Sequence, residues 1–220
     1  MKYAWYKILT VVLLLYTFIG GFFLPVPRLP ILYESIRNTY FHIPMWFGMM
    51  IIFTASAAFS GLYLRQPNDP KNDLKAESSA EIGLLFGILG TITGALWAKY
   101  TWGEYWSGDP KQNATAIFLL IYSAYFVLRG SFDGQDKKAR ISAVYNLFAY
   151  ATMIPLLFIL PRLTDSLHPG NGGNPGFGKY DMDNTMRLVF YPAIVAWTLL
   201  GVWIIELKVR IKTLNTTQND

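Results

Sequence analysis

The sequence predicts an all-α integral membrane protein with six transmembrane helices. Only 15% of its 220 residues are charged, whereas 53% are hydrophobic. A soluble domain of this length would carry about 25% charged residues. The charges also leave six gaps, since no Asp, Glu, Lys or Arg occurs in residues 8–27, 38–64, 82–98, 112–128, 141–161 or 188–205. As a helix, each gap can cross most or all of a hydrocarbon core about 30 Å thick.

Each charge-free gap predicts one span, so residues 1–220 should form a single six-helix membrane domain. The predicted spans are about 8–27, 41–64, 82–98, 112–128, 141–161 and 188–205. The first span follows basic residues but has no small-residue cleavage site, so we expect it to stay as an anchor. Ser78 and Glu81 match a capping box, which predicts that the third helix opens there.

Basic residues predict the orientation of the spans, because Lys and Arg are more frequent in cytoplasmic loops. With the N-terminus inside, the inner segments 1–7, 65–81, 129–140 and 206–220 carry twelve Lys and Arg in 51 residues. The outer segments 28–37, 99–111 and 162–187 carry seven in 49. Both termini are therefore predicted to be cytoplasmic.

The sequence lacks the residues that several classes of functional site require. The chain has no cysteine, which excludes disulfides, iron–sulfur clusters and thiolate zinc sites. It has no GxxxxGK[ST] phosphate loop and no HExxH pair. Ionisable residues are absent from the span interiors, which argues against a proton-coupled transporter. Glu81, Glu206 and Arg129 stand at span ends, where we expect their side chains to reach water.

The two histidines are predicted to lie on the same, outer side of the membrane. His42 precedes Pro44, which suits the first turn of a helix, so His42 should stand at the start of the second span. His168 precedes Pro169, which favours extended backbone and places His168 in the outer loop 162–187. Two histidines on one face can ligate a metal ion. They can equally be interfacial residues without a ligand.

The outer loop 97–113, WAKYTWGEYWSGDPKQN, is rich in aromatic residues and holds Trp97, Trp102, Tyr105 and Trp106. In helical spacing Trp102, Trp106 and Asp109 share one face, although the Gly and Pro residues of the loop argue against an uninterrupted helix. Trp and Tyr gather at membrane interfaces, so an aromatic belt is one interpretation. An aromatic belt needs no carboxylate. The presence of Asp109 therefore favours a second interpretation, in which the loop is a binding platform.

The run WGEYWSGDPK resembles the tryptophan-rich signature W-G-x-[WY]-W-x-W-D-x-[RK] of the cytochrome c assembly family of heme-handling membrane proteins, which includes CcmC, CcmF and CcsA. The runs YFHIPMWFG at 40–48 and LTDSLHPG at 163–170 are similar to the contexts of the family's two histidines. Their order on six spans is most similar to the CcmC type. One departure is Gly108, which stands where the family usually has Trp before Asp109.

The resemblance implies a role for each of these residues. His42 and His168 would be the axial ligands of a heme iron, with heme held non-covalently as b-type heme. The platform against the porphyrin would consist of Trp97, Trp102, Tyr105, Trp106 and Asp109. Imidazole is a strong iron ligand, and flat aromatic rings bury a macrocycle well.

The resemblance also implies a function without enzymatic activity. A CcmC-like protein presents heme at the periplasmic face of the bacterial inner membrane to a CcmE-like heme chaperone. It acts with CcmA- and CcmB-like subunits of an ABC transporter and a small CcmD-like protein. A CcsA-type heme-ligation component, a small-molecule permease, a membrane cytochrome and a copper site of His42, Met45 and Met182 are the alternatives.

Overall fold

In the computed structural model, residues 5–169 and 182–219 are described, and they form helices and connecting segments without strands. Six helices are long and apolar enough to cross a membrane, so the predicted fold class is confirmed. They are α1 (Trp5–Phe23), α2 (His42–Arg65), α3 (Pro70–Trp102), α4 (Pro110–Gly130), α5 (Gln135–Leu163) and α6 (Asn184–Asn219). A 3₁₀ helix, Tyr33–Tyr40, precedes α2.

The tripeptide Asp-Pro-Lys opens both α3 and α4. Asp69 and Asp109 are the N-caps, and each carboxylate accepts a hydrogen bond from the backbone N–H two residues later, at 3.1 and 2.9 Å. The proline that follows each cap suits the first turn because it has no N–H to satisfy. The capping box predicted at Ser78 is therefore wrong, since α3 begins at Pro70 and Ser78 is fully buried within it.

Helix α2 lies at the centre of the bundle, where it packs most extensively against α3 and also contacts α5 and α6. Within the described part of the chain, helix α1 packs mainly on α6 and the 3₁₀ helix, and most of its apolar surface is exposed. The main core joins α2, α3 and α4 through Met49, Phe53, Phe86, Phe118 and Tyr122. The rings of Phe53 and Tyr122 stack with centroids 3.7 Å apart.

Ion pairs join three helices at the end of the bundle that carries the start of α1, here called the N-terminal end. Arg129 at the end of α4 donates to Asp73 at 2.8 and 2.7 Å and to Glu77 at 2.8 Å, both on α3. Lys212 of α6 pairs with Glu77 and Glu81. The expectation that Arg129 reaches water is wrong, because this residue is only 5% exposed and its charge is neutralised within the bundle.

The opposite end, here called the histidine end, carries the residues predicted to form the site. Arg37 of the 3₁₀ helix donates to the carbonyl oxygens of Gly21 and Leu24, both at 2.8 Å, and so caps the end of α1. Asn38 donates to the carbonyl of Thr93 at 3.2 Å. These contacts hold the start of α2 against the last turns of α3.

Candidate functional site

His42 is the first residue of α2, as predicted, and its imidazole lies against α3. Nδ1 is 3.0 Å from the carbonyl oxygen of Gly90 and 3.2 Å from the hydroxyl of Thr93. Since a carbonyl oxygen only accepts, Nδ1 must carry the proton and Nε2 is the acceptor. The indole Nε1 of Trp46 donates to Nε2 at 3.3 Å. The tautomer that leaves Nε2 basic is thus set by the fold, as in histidines that ligate metals.

Glycines on α3 allow this close approach of α2. A Cβ atom at Gly94 would lie 2.6 Å from Cε1 of His42, and one at Gly90 would lie 2.8 Å from Cε2 of Trp46. A Cβ atom at Gly83 would lie 2.8 Å from the ring of Phe53. Our sequence interpretation missed these glycines, although small residues recurring at helical spacing mark close packing between membrane helices.

Asp109 is the anchor of the segment that carries His168. The two carboxylate oxygens accept from the hydroxyl of Ser166 at 3.1 and 2.9 Å, and one of them accepts from the backbone N–H of Leu167 at 2.7 Å. Nδ1 of His168 lies 2.9 Å from the other. The Asp109 side chain is only 1% exposed, whereas that of His168 is 25% exposed. Asp109 therefore turns inward, toward His168, and away from the exposed aromatic surface.

The electrostatics of this pair favour a neutral histidine beside an ionised carboxylate. Burial would raise the pKa of Asp109, but the N–H of Leu167, the positive charge of His168 in its protonated form and the hydroxyl of Ser166 together hold that pKa below its ordinary value. Burial lowers the pKa of His168, and so does the charge of Lys111, while Asp109 partly opposes them. The lowered pKa favours the neutral form of His168, and Asp109 orients the ring by accepting a hydrogen bond from its Nδ1–H.

The tryptophan-rich loop divides into a helical part and an irregular part. Helix α3 ends at Trp102, and Gly103 adopts the left-handed conformation, with φ of 87°. Trp102, Trp106 and Asp109 therefore do not share one helical face. Tyr105 and Trp106 follow in the irregular part and are 56% and 41% exposed.

Each histidine lies edge-on to a tryptophan of the segment 97–113. The ring of Trp97 lies edge-on to that of His42 with centroids 5.9 Å apart, and its indole N–H donates to Ser35 at 3.1 Å. Trp102 lies edge-on to His168 with centroids 4.7 Å apart. The imidazoles of His42 and His168 are close enough to interact electrostatically. Both residues are described in the structure, and their rings do not touch.

Lys111 and Arg162 are two of the cations at the same end, and neither forms an ion pair within the described part of the chain. Lys111, in the first turn of α4, is half-buried and lies within the electrostatic reach of Asp109, His168 and Arg162. Arg162, near the end of α5, donates to the carbonyl oxygen of Phe158 at 3.0 Å. The candidate site therefore combines two imidazoles, exposed aromatic rings and two cations.

The whole chain, residues 1–220, matches the family model described as CcmC, heme exporter protein C. The chain belongs to the CcmC heme exporter family. It is 25% identical over 167 residues to heme exporter protein C of Rhodobacter capsulatus, covering 76% of this chain and 68% of that protein. It is 29% identical over 135 residues to the putative cytochrome c biosynthesis ccmC-like mitochondrial protein of Marchantia polymorpha, covering 61% of this chain and 56% of that protein.

Similarity extends to a second group within cytochrome c biogenesis. The chain is 40% identical over 70 residues to the cytochrome c biogenesis protein CcsA of a Synechococcus species, covering 32% of this chain and 23% of that protein. The matches thus span just over half of the Marchantia protein and about a quarter of CcsA. The resemblance of this CcmC-family chain to heme-handling membrane proteins is confirmed, and its six apolar helices make it a multi-pass membrane protein.

Proposed function

We propose that this CcmC-family protein binds b-type heme non-covalently at the histidine end and passes it to a heme chaperone during cytochrome c maturation. The observation that carries the proposal is the common arrangement of the two histidines. In both, Nδ1 faces an acceptor oxygen, at 3.0 Å for His42 and 2.9 Å for His168. This arrangement leaves Nε2 of each ring as the ligating nitrogen.

The two imidazoles would be the axial ligands on opposite faces of one iron. Each iron–nitrogen bond is about 2 Å, so the two Nε2 atoms must come to about 4 Å from each other. His42 belongs to a helix packed on α3, whereas His168 belongs to the segment that Asp109 anchors after α5. Closure around heme therefore moves the His168 segment toward α2. The glycine- and proline-rich stretch 169–178 lies outside the described residues apart from Pro169.

Aromatic and cationic side chains complete the proposed site. The exposed rings of Tyr105 and Trp106 offer flat apolar surface for the porphyrin, and Trp102 borders His168. Lys111 and Arg162 have the charge that would pair with the two carboxylates of heme. Asp109 acts through His168 in this scheme and does not contact the porphyrin.

The cellular setting that we propose is supported by the family and the charge pattern. The excess of Lys and Arg in segments 1–7, 65–81, 129–140 and 206–220 supports cytoplasmic termini and a periplasmic histidine end in the bacterial inner membrane. The partners would be a CcmE-like chaperone, CcmA- and CcmB-like ABC transporter subunits and a CcmD-like protein. The chain would supply binding and orientation, and ATP hydrolysis would come from those subunits.

A second candidate is a CcsA-type role, in which heme is joined to apocytochrome c with a partner protein. The 40% identity over 70 residues to a CcsA protein favours it. The heme contacts would be the same, but the recipient would differ. Transfer of heme from the purified protein to a CcmE-like chaperone, but not to apocytochrome c, would favour the first role, and the reverse would favour the second.

Heme content tests the binding proposal. The protein, purified in detergent from cells that make heme, should carry about one heme per chain with the pyridine hemochrome spectrum of b-type heme. Acidified organic solvent should extract all of it, because no covalent bond forms. A protein that inserts in the membrane yet neither carries heme nor takes it up on titration would contradict the proposal.

A further inference from the structure

His42 and Trp46 form a hydrogen-bonded pair at the interface of α2 and α3. The Gly90 carbonyl requires the proton on Nδ1 of His42, so the single lone pair of the ring is on Nε2. The indole nitrogen of Trp46, which only donates, is 3.3 Å from Nε2, and the two ring planes cross at 82°. The lone pair that would ligate iron therefore already accepts a hydrogen bond from Trp46.

The neighbouring helix holds both rings in this arrangement. Gly94 and Gly90 of α3 lie directly against the rings of His42 and Trp46, at distances where a Cβ atom would clash. The hydroxyl of Thr93, 3.2 Å from Nδ1, adds a second contact at the nitrogen that also faces the Gly90 carbonyl. The hydrogen bond between Trp46 and His42 is thus fixed by the packing of α2 against α3.

We propose that Trp46 competes with heme iron for Nε2 of His42, an inference that rests on the proposed function. An iron–imidazole bond of about 2 Å uses the same lone pair as the indole hydrogen bond, so the two cannot coexist. Heme binding breaks the hydrogen bond, and heme release re-forms it. The axial position that His42 leaves on the iron is then taken by water or by a ligand of the recipient.

This competition suits a protein that must give heme up. The indole hydrogen bond stabilises the heme-free protein and lowers the net affinity of His42 for iron. A typical hydrogen bond shifts such an equilibrium about two- to tenfold. Trp46 is therefore a positioning residue that sets how readily His42 exchanges its ligand.

The substitution Trp46→Phe tests this inference because it keeps an aromatic ring and removes the N–H. Heme dissociation constants would be measured by titration of the detergent-purified protein, and release rates by transfer of heme to excess apomyoglobin. We expect Trp46→Phe to bind heme about two- to tenfold more tightly than the wild type. Unchanged or weaker binding would overturn the inference.

Trp197 provides a matched control. It is a partly buried tryptophan of α6 whose indole nitrogen has no hydrogen-bond partner in the described part of the chain. Trp197→Phe should change the heme dissociation constant less than twofold. A tightening equal to that of Trp46→Phe would mean that loss of any buried indole has this effect, and the inference would fall.

A double-mutant cycle shows whether the effect of Trp46 passes through His42. In a His42→Ala background, Trp46→Phe should no longer tighten heme binding. Equal tightening in both backgrounds would overturn the competition. Indole resonances of the ¹⁵N-tryptophan-labelled, heme-free protein give a readout without heme, in which the Trp46 signal should shift on His42→Ala. A Trp46 signal that does not move would also overturn it.

These results separate the inference from the proposed function. If His42→Ala left the wild-type heme spectrum unchanged, His42 would not be a ligand and the proposed site itself would be wrong. If His42→Ala altered the spectrum while Trp46→Phe left the affinity unchanged, only the competition would be wrong.

Discussion

Asp109 and His168, 59 residues apart in the chain, meet through a contact of 2.9 Å between Oδ1 and Nδ1. The same carboxylate caps α4 and accepts from Ser166 and Leu167. One buried side chain thus fixes a helix start, a loop and the tautomer of a proposed iron ligand. In the heme site proposed here, Asp109 prepares His168 for ligation.

Asp109→Asn should impair ligation by His168 while leaving the fold intact. Asparagine is a good N-cap, so α4 should still begin at Pro110. Its NH₂ group can donate to Nδ1 of His168, which moves the imidazole proton to Nε2 and removes the ligating lone pair. We expect the visible spectrum of bound heme to lose low-spin character. Asp69→Asn, at the same Asp-Pro-Lys sequence of α3, is the control and should retain the wild-type spectrum.

The stability of the heme-free protein should depend on pH through His168. Burial and Lys111 hold the pKa of His168 below its value of about 6.5 in an unfolded chain. As the pH falls below 6.5, the unfolded chain takes up the proton first, so the free energy of unfolding decreases until the folded-state pKa is passed. Thermal unfolding at pH 7.5 and 5.5 should show a smaller loss for His168→Gln than for the wild type. An equal loss in both would contradict this assignment.

Trp102→Ala should weaken heme retention more than Trp106→Ala. Removal of one aromatic face costs about 1–3 kcal/mol of contact, or roughly ten- to a hundredfold in affinity. Trp102 also lies edge-on to the ring of His168, so removal of the indole leaves the imidazole of His168 less well positioned to ligate iron. Dissociation constants from heme titration provide the measurement. Trp5→Ala, at the exposed start of α1, should have no effect, and wild-type affinity in both loop variants would reduce the loop to an interfacial belt.

Gly94→Ala should displace His42 from its position against α3. Alanine is favoured over glycine in a helix by about 1 kcal/mol, but the new Cβ would lie 2.6 Å from the imidazole. Overpacking of this kind costs about 1–3 kcal/mol. We expect a lower thermal stability and an altered heme spectrum. At Gly61 of α2 a Cβ atom meets nothing within 4 Å, so Gly61→Ala should be neutral or stabilising.

The spans and their number could be predicted because charge-free stretches of 17 residues or more have few stable structures other than membrane helices. The start of α3 could not be located in this way. Charged residues such as Asp73 and Glu77 suggested a loop, but they lie on a helix whose charges pair with Arg129 and Lys212 from other helices. Partners on distant segments leave no signal in the local sequence.

Within the candidate site, the sequence motifs indicated which residues belong to the site better than they indicated the contacts between those residues. The positions of His42 and His168 followed from the prolines after them. The inward orientation of Asp109 did not, because α3 ends at Trp102 and the loop leaves helical geometry before Asp109. The pairing of Trp46 with His42 has the i, i+4 spacing of a helix and could have been considered. The proposed roles of Lys111 and Arg162 depend on positions that only the fold gives.

The axial ligation of heme by His42 and His168 is the central claim, and visible absorption of the purified protein in single-histidine variants tests it most directly. The wild type should show a six-coordinate, low-spin heme spectrum. His42→Ala and His168→Ala should each give a five-coordinate or heme-free protein, and added imidazole should partly restore the low-spin spectrum by filling the vacant position. Wild-type spectra in both single variants would contradict the assignment.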